Sequence, residues 1–345
     1  MLEFSALWRF LNGKHRLNGI ILACLLIIVA ITCRDTSLAM QENNLVGTPL
    51  YAGFAEIGPN KNSFILVGDT QSTSHWEFWR ENNNKERRRI IDEITKRAPA
   101  FVVHLGDLTA RGSSKKHWEE FDDMHKEFRK NKIPYFPILG NHEFYGNDQT
   151  ALQNYFGRFP HLDQKRWYDF KWKNIAFIMV DSNFSTLTKD QIREQTEWYL
   201  SELKIFDGSK EIDYIIICSH EPPFTNSRVI KPNKNVESYF ANPSFKIQKP
   251  VLFFSGHSHS YERFKVHDKF FIVCGGGGGP RHKLTINPLR RRYEDFFVGP
   301  ELRFFHFCEV ENGEDGLHFQ NLSLKPDDTF TVVDPLIILK NRIGE

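Results

Sequence analysis

The order of apolar and polar segments along the chain predicts alternating strands and helices. Short apolar runs at 63–67, 101–105 and 134–139 each end at a glycine. Charged segments with apolar residues at helical spacing lie between them, at 85–96 and 118–130. A short apolar run bounded by a turn signal is typical of a buried strand. The alternation therefore indicates an α/β unit in which the strands pair in parallel.

The second half of the chain continues this alternation. It predicts a helix at 189–203. It also predicts strands at 175–180, 214–218, 251–254 and 270–274, near 302–310 and from 317. No internal repeat or low-complexity linker interrupts the pattern. We therefore predict one folded domain at 61–335, preceded by a polar, turn-rich linker at 40–60 and followed by a tail at 336–345.

The N-terminal segment differs from the rest of the chain. Residues 20–32 form an uncharged apolar run that follows Arg9, Lys14 and Arg16. A basic stretch before an apolar run is typical of a secretory signal, and the run is shorter than the ~20 residues of a membrane span. Three interpretations of residues 1–39 stay open: a cleaved signal peptide, an uncleaved membrane anchor through 20–32, and a lipidated Cys33. We expect the domain to be exported or anchored outside the cytoplasm.

The amino-acid composition excludes fewer functions than the order of strands and helices does. The 345 residues include 31 Phe, enough for a thick, packed core. A net charge of +2 gives no reason to expect a nucleic-acid partner. Three cysteines lie in the predicted domain: Cys218, Cys274 and Cys308. An odd number cannot pair completely within one chain, so buried free thiols are favoured and one bridge stays open.

Polar side chains follow five of the predicted strands at the points where these end. They are Asp69 and Gln71, Asp107, Asn141 and His142, His220, and finally His257 and His259. Ligands of open α/β sheets bind outside the carboxyl ends of the strands, so these side chains are expected at one rim. Oxygen and imidazole donors without a thiolate suit Zn, Mn or Fe. The two histidines of the segment 257–259 are expected to serve two metals.

The motifs Asp-x-Gln, Gly-Asp, Gly-Asn-His-Glu, a single His and Gly-His-x-His, in this order, resemble the calcineurin-like metallophosphoesterases. The resemblance covers about residues 62–275, and the segments 195–200 and 256–263 are similar to the purple acid phosphatase branch in particular. It implies an α/β (α+β) fold of four layers, with two mixed β-sheets packed face to face and flanked by helices. It also implies a hydrolase that acts on phosphoric ester bonds.

The resemblance assigns roles to the polar residues. The positions of metal ligands are Asp69, Gln71, Asp107, Asn141, His220, His257 and His259. Asp107 would bridge two divalent or mixed-valence ions (Mn, Zn or Fe), and a metal-activated hydroxide would attack the phosphorus. His142 would stabilise the transition state or protonate the leaving oxygen. Purple acid phosphatases have a tyrosine ligand at the position of Ala110, and many relatives have histidine at the position of Gln71. We therefore expect no purple Fe(III) site and weaker binding of the metal ion that Asp69 and His259 would hold.

The motifs specify the metal ligands more closely than the residues that contact the substrate. Candidates are His75, Phe144, Tyr145 and Arg281, for which packing is the alternative role. The glycine run 275–279 either brings backbone amides to a phosphate or forms a tight loop between strands. The leading hypothesis is a phosphomonoesterase that acts on a phosphorylated small molecule. The alternatives are a phosphodiesterase on nucleotides or lipids, and an inactive metal-binding or scaffold protein.

Overall fold

The computed structural model describes residues 47–58, 60–73 and 79–340, which contain two β-sheets and several helices. The strands are β1 (Ser63–Val67), β2 (Val102–His104), β3 (Tyr135–Pro137), β4 (Tyr168–Trp172), β5 (Ile175–Met179), β6 (Tyr214–Ser219), β7 (Val251–Ser255), β8 (Tyr261–Val266), β9 (Lys269–Cys274), β10 (His306–Asn312), β11 (Gly316–Leu324), β12 (Phe330–Val332) and β13 (Leu336–Leu339). The α-helices are α1 (Asn84–Arg97), α2 (Lys115–Met124), α3 (Lys126–Lys130), α4 (Asp148–Arg158), α5 (Lys189–Gly208), α6 (Lys234–Val236) and α7 (Asn242–Ser244). A π-helical turn, Glu237–Ala241, joins α6 to α7, and short 3₁₀ turns lie at Phe54–Glu56, His142–Phe144, Pro160–Leu162 and Phe184–Thr186.

Both sheets are mixed. The first has the order β12-β11-β10-β1-β2-β3, with β13 also paired to β11. Its β1, β2 and β3 run parallel, as the sequence predicts, whereas β10 joins β1 antiparallel. The second has the order β4-β5-β6-β7-β9-β8 and a parallel centre of β5, β6, β7 and β9. The carboxyl ends of the parallel strands in each sheet therefore meet at one edge.

The two sheets pack face to face through aromatic side chains. Phe64 of β1 and Phe101, which directly precedes β2, contact Phe177 of β5 in the second sheet, with ring centroids 5.1 and 5.4 Å apart. Successive side chains of β5 point to opposite faces of its sheet. Phe177 lies in this central core, and Ile178 lies in a second core shared with α5. Offset and edge-to-face ring pairs add to the free energy gained from burying their area. The predicted fold class is confirmed.

Helices cover the outer faces of both sheets. Ile90, Ile91 and Ile94 of α1 are buried at helical spacing and share the core of the first sheet. Tyr199 and Leu203 of α5 are buried in the second core. Each helix thus turns one apolar stripe to a sheet and its charged face to solvent, as its sequence pattern requires.

Several boundaries differ from the prediction. The helix expected at 118–130 is divided at His125 into α2 and α3, since His125 leaves helical geometry and turns its ring back to the Phe121 carbonyl. The expected linker contains Tyr51, which is buried and bonded to Asp122, so the compact unit begins at Leu50. The expected tail contains β13. Sequence analysis also missed the strands β4 and β8 and the helix α4.

The remaining predictions concern the N-terminus, membrane association and cysteines. The apolar run at 20–32 and the open interpretations of 1–39 fall outside the described residues. Within the described ranges, no helix combines the length and apolar character needed to cross a bilayer. Cys218, Cys274 and Cys308 are free and buried.

Candidate metal centre

The loops that leave β1, β2 and β7 hold four ligand candidates in an uncommon backbone conformation. Asp69, Asp107, His257 and His259 have φ values of 62°, 58°, 63° and 41°. Few residues other than glycine adopt this left-handed region, and such residues cluster at functional sites. Residues two apart in an extended segment point to the same face, so the left-handed turn at 257–259 is what separates the two rings into different groups.

Asp107 belongs to two groups of ligand atoms. One consists of Asp69, Asp107 and His259, and the other of Asp107, His220 and His257, with the atoms of each group within 4.8 Å of one another. All of these side chains are buried except His257, which is partly exposed. A carboxylate shared by two three-residue groups matches the geometry of a bridged pair of cations.

The second group converges on one point. The Nδ1–H of His220 donates to the Leu105 carbonyl at 2.8 Å, which directs Nε2 toward the other ligand candidates. That Nε2 lies 3.1 Å from Asn141 Oδ1, 3.1 Å from His257 Nδ1 and 3.4 Å from Asp107 Oδ1. Either a proton on Nε2 or a metal cation would supply the positive charge that the oxygen atoms of this group attract. The residues present therefore fit a metal ion.

Electrostatics at this group lead to the same conclusion. Burial lowers the pKa of His220, but the Asp107 and Asp69 carboxylates more than offset it and raise the pKa to about 9. Burial opposes ionisation of Asp107, yet His220, His142 and His257 lower its pKa to about 2. The buried carboxylates thus attract positive charge to their surroundings, as either a proton or a cation.

Gln71 completes the first group. Its Nε2 lies 3.1 Å from Asp107 Oδ2 and 3.0 Å from His259 Nε2, while its Oε1 is buried without a hydrogen-bond partner. The Nδ1–H of His259 donates to the Pro280 carbonyl at 2.8 Å, which turns Nε2 toward Asp69. A buried acceptor left unpaired costs about 1–3 kcal/mol. Rotation of the Gln71 amide would bring that oxygen to the first group, where a cation would satisfy it.

Glu143 holds the two ligand loops together, a role that sequence analysis did not assign. Its carboxylate is fully buried and accepts from the backbone N–H groups of Asp107, Leu108 and Gly140 at 2.7–2.8 Å and of Thr109 at 3.3 Å. The only sequence signal was its position after Asn-His in the third motif. Four convergent amides explain why an acidic residue stands there.

Glycines allow the backbone to approach the ligands closely. A Cβ on Gly140 would lie 2.3 Å from Asp107 N and Oδ1, and one on Gly275 would lie 2.7 Å from Asp69 Oδ2. The amides of Gly277 and Gly279 donate to the carbonyls of Gly68 and Asp69. These amides of the glycine run support the ligand loop, as the tight-loop alternative requires.

His142 lies at the entrance to the centre. Its Nδ1–H donates to the Ala110 carbonyl at 2.9 Å, and its Nε2 lies 3.9 Å from Asp107 Oδ2. The ring is partly exposed and packs against Tyr145 at 4.3 Å between centroids. The Tyr145 hydroxyl also accepts from Asn141 Nδ2 at 2.9 Å, which turns Asn141 Oδ1 toward His220. Tyr145 thus orients a ligand candidate and the candidate catalytic histidine.

The other candidate substrate contacts lie in different surroundings. Phe144 is largely buried beneath the Arg166 guanidinium, 4.8 Å from its ring centroid, and has an edge on the cleft beside His142. Arg281 forms an ion pair with Glu81 at 2.5 Å and lies over the Phe305 ring. His75 falls outside the described residues.

An open cleft of about 1460 Å³ adjoins His142. It begins at Ala110, Phe144 and Tyr145 and extends between α1 and α2. A substrate bound at the centre would therefore have space for its leaving group on this side.

Comparisons with known proteins identify the family of this chain. The family model for calcineurin-like phosphoesterase matches residues 63–261. Purple acid phosphatase 21 of Arabidopsis thaliana is 26% identical over 238 residues, which cover 62% of this chain and 53% of that protein. Tartrate-resistant acid phosphatase type 5 of Sus scrofa is 21% identical over 281 residues, with 72% and 79% covered. The chain spans about half the length of the Arabidopsis relative.

Solved structures show the same fold at low identity. The purple acid phosphatase from yellow lupin (Lupinus luteus) seeds has a TM-score of 0.63 at 16% identity, covering 83% of this chain and 55% of that one. GAP50, the anchor in the inner membrane complex of Plasmodium, has a TM-score of 0.59 at 19% identity, with 81% and 90% covered. The family model covers more than half of the chain, including every ligand candidate and His142. The chain therefore belongs to the calcineurin-like phosphoesterase family.

Proposed function

We propose that this protein is a metal-dependent phosphomonoesterase with a dinuclear centre. The observation that carries the proposal is the shared Asp107, which joins two groups of buried ligand atoms. Asp69, Gln71 and His259 would hold one ion with Asp107. Asn141, His220 and His257 would hold the other. The donors are oxygen and nitrogen atoms, a set that suits Mn, Zn or Fe.

A pair of bound cations supplies positive charge that lowers the pKa of water and stabilises a phosphoryl transition state. The protein's own contribution is to aim its ligands. The Leu105 and Pro280 carbonyls fix the tautomers of His220 and His259, so that Nε2 of each ring faces the carboxylates. Groups that hydrogen-bond a metal-binding histidine typically fix its orientation in this way.

His142 is suited to protonate the leaving oxygen. Hydrolysis forms a bond from water oxygen to phosphorus, breaks the bond from phosphorus to the leaving oxygen, and requires a proton on that oxygen. The Ala110 carbonyl accepts from Nδ1–H of His142, so the proton for the leaving oxygen would be delivered from Nε2, the ring atom that lies 3.9 Å from Asp107 Oδ2. Histidine is the side chain that most often acts as a general acid.

The proposed substrate is a phosphorylated small molecule, because the cleft beside His142 is open to solvent and has room for a leaving group. We also propose that the domain acts outside the cytoplasm, exported or anchored through the N-terminal segment, since that segment reads as a basic stretch followed by an apolar run.

The test uses protein reconstituted separately with Mn²⁺, Zn²⁺ and Fe²⁺, with metal content measured by elemental analysis. Hydrolysis of para-nitrophenyl phosphate and of bis-para-nitrophenyl phosphate is followed for the wild type, His142→Ala and Asp107→Asn. We expect turnover of the monoester to fall by about 10²–10⁴-fold in His142→Ala. In Asp107→Asn both bound metal and turnover should fall. His318→Ala, on β11 of the first sheet, is the matched control and should retain both.

Turnover that survives both substitutions would refute the catalytic assignment. Faster cleavage of the diester than of the monoester would favour the phosphodiesterase alternative. Two bound ions without turnover of either ester would favour a scaffold protein.

A further inference from the structure

The cleft beside His142 is strongly basic. Five cationic side chains line it, and Glu120 is the one carboxylate among its described lining residues; the cations are Arg80, Arg87, Arg88, Arg111 and Lys116. The whole chain has 45 basic and 43 acidic residues, so its composition does not explain this concentration. A cleft lined by charges of one sign attracts ligands of the opposite sign.

Arg87 is the buried member of this group. Its side chain is 7% exposed, and it donates to neutral partners: Nε to the Thr70 carbonyl at 2.6 Å and Nη1 to Asn84 Oδ1 at 2.8 Å. Among the described residues no carboxylate forms an ion pair with Arg87 within 4.0 Å, and Glu120, which lines the same cleft, is the acidic group whose charge acts on it from farther away. A buried cation is costly unless an anion compensates it, so the surroundings of Arg87 favour an anionic ligand.

The exposed cations extend the basic surface away from the centre. Among the described residues, Lys116 on α2 forms no ion pair, and the Arg111 guanidinium donates one hydrogen bond, from Nε to the Ser113 hydroxyl at 3.4 Å. Arg88 is paired with Asp123 at 3.2 Å, but both side chains are at least 60% exposed. Such exposed pairs contribute little free energy and exchange readily for a stronger anion.

The cleft is also connected to the centre. Thr70, whose carbonyl accepts a hydrogen bond from Arg87, lies between the ligand candidates Asp69 and Gln71. His142 and Tyr145 line the same cleft. A substrate with its scissile phosphate at the centre would therefore extend its leaving group along the basic side chains.

We infer that this cleft selects phosphate esters whose leaving group carries a further phosphate, with Arg87, Arg111 and Lys116 as specificity determinants. The inference rests on the proposed function and names the substrate class of the same centre. A second phosphate is a compact group of high negative charge, which Arg and Lys bind by charge-assisted hydrogen bonds. A monoester with an uncharged leaving group would leave these cations without a ligand.

The test compares fructose 1,6-bisphosphate with fructose 6-phosphate, which differ by one phosphate, on the metal-loaded full-length protein. We expect kcat/KM to be at least about tenfold higher for the bisphosphate. Lys116→Glu and Arg111→Glu should each reduce that ratio about tenfold, mainly through KM. Higher ionic strength should reduce it as well, since salt screens exposed charges.

Lys115→Glu is the matched control. Lys115 precedes Lys116 on the first turn of α2 and is exposed, but it pairs with Glu119 and does not line the cleft. The two substitutions have the same effect on net charge and on the helix terminus. The ratio should stay within about twofold of the wild-type value in Lys115→Glu.

A second measurement separates this inference from the proposed function. Calorimetry of fructose 1,6-bisphosphate on metal-loaded His142→Ala protein, with and without Lys116→Glu, reports binding without turnover. Weaker binding only with the added Lys116→Glu supports the cleft even if no ester is hydrolysed. Equal kcat/KM for the two sugars, or equal effects of Lys115→Glu and Lys116→Glu, overturns the inference and leaves the phosphomonoesterase intact if para-nitrophenyl phosphate is still hydrolysed.

Discussion

Replacement of Glu143 by glutamine tests how the ligand loops are held together. Oε2 of Glu143 accepts from the amides of Asp107 and Gly140, and Oε1 accepts from those of Leu108 and Thr109. In Glu143→Gln one of these oxygens becomes an NH₂ group, which cannot accept. Two buried amides then lose their acceptor whichever way the side-chain amide is placed. At about 1–3 kcal/mol for each unsatisfied group, the free energy of unfolding should fall by about 2–6 kcal/mol.

The same substitution should weaken metal binding. Asp107 lies on one of the loops that Glu143 joins, and Asn141 lies on the other. Urea unfolding of the metal-free and metal-loaded forms measures stability, and calorimetric titration with Mn²⁺ measures affinity. Since bound ligand stabilises the folded state, the gain on metal loading should be smaller in the variant.

Asp122→Asn is the control for the loss of a buried acid. Asp122 is 5% exposed and accepts three hydrogen bonds from Nε and Nη2 of Arg158, away from the candidate metal ligands. It should lower stability by about 3–5 kcal/mol and leave the Mn²⁺ affinity unchanged. If Glu143→Gln alters neither stability by more than about 0.5 kcal/mol nor Mn²⁺ affinity, the four-amide account of this residue is wrong.

Three further substitutions have distinct expected outcomes. Burial raises the pKa of Glu262 to about 8 despite the hydrogen bond from Thr225. A raised carboxyl pKa gives stability that is complete below the unfolded value of 4.5 and is lost as pH rises through 8. Urea unfolding should therefore show the wild type losing up to about 4 kcal/mol relative to Glu262→Gln between pH 5 and 9, and parallel pH profiles would contradict this. Gln71→Leu should lower the affinity for one of two Mn²⁺ ions by about tenfold in a calorimetric titration, because it removes an oxygen donor from the first group alone. An equal loss of affinity for both ions would contradict the assignment. Arg281→Ala should lower the free energy of unfolding by about 1 kcal/mol through loss of the partly exposed Glu81 pair, while a tenfold rise in KM for para-nitrophenyl phosphate would instead identify a substrate contact.

The sequence by itself determined the fold class, most of the central strands and the family. Short apolar runs specify buried strands locally, and the residue types that follow each run are printed in the same segment. Asp107 and His220 are separated by more than a hundred positions, yet each could be placed at a strand end from its immediate neighbours. Both positions lie within the residues that the family model matches.

Other features depend on pairing between distant segments. The strands β4, β8 and β13 carry weak local patterns, and their positions are set by the partners β5, β9 and β11. No pattern near His125 predicted the break between α2 and α3, where its ring bonds to the Phe121 carbonyl and packs against Tyr51 and Tyr135.

The tertiary structure alone decided how the centre is supported and what surrounds it. The role of Glu143 requires four amides from two loops to converge, and the Arg281–Glu81 pair joins positions 200 residues apart. The basic cleft forms only because α1 and α2 place side chains such as Arg87 and Lys116 on either side of His142. Ligand identity is encoded in short strand-and-turn segments, whereas support and charge around a site arise from contacts that sequence order does not specify.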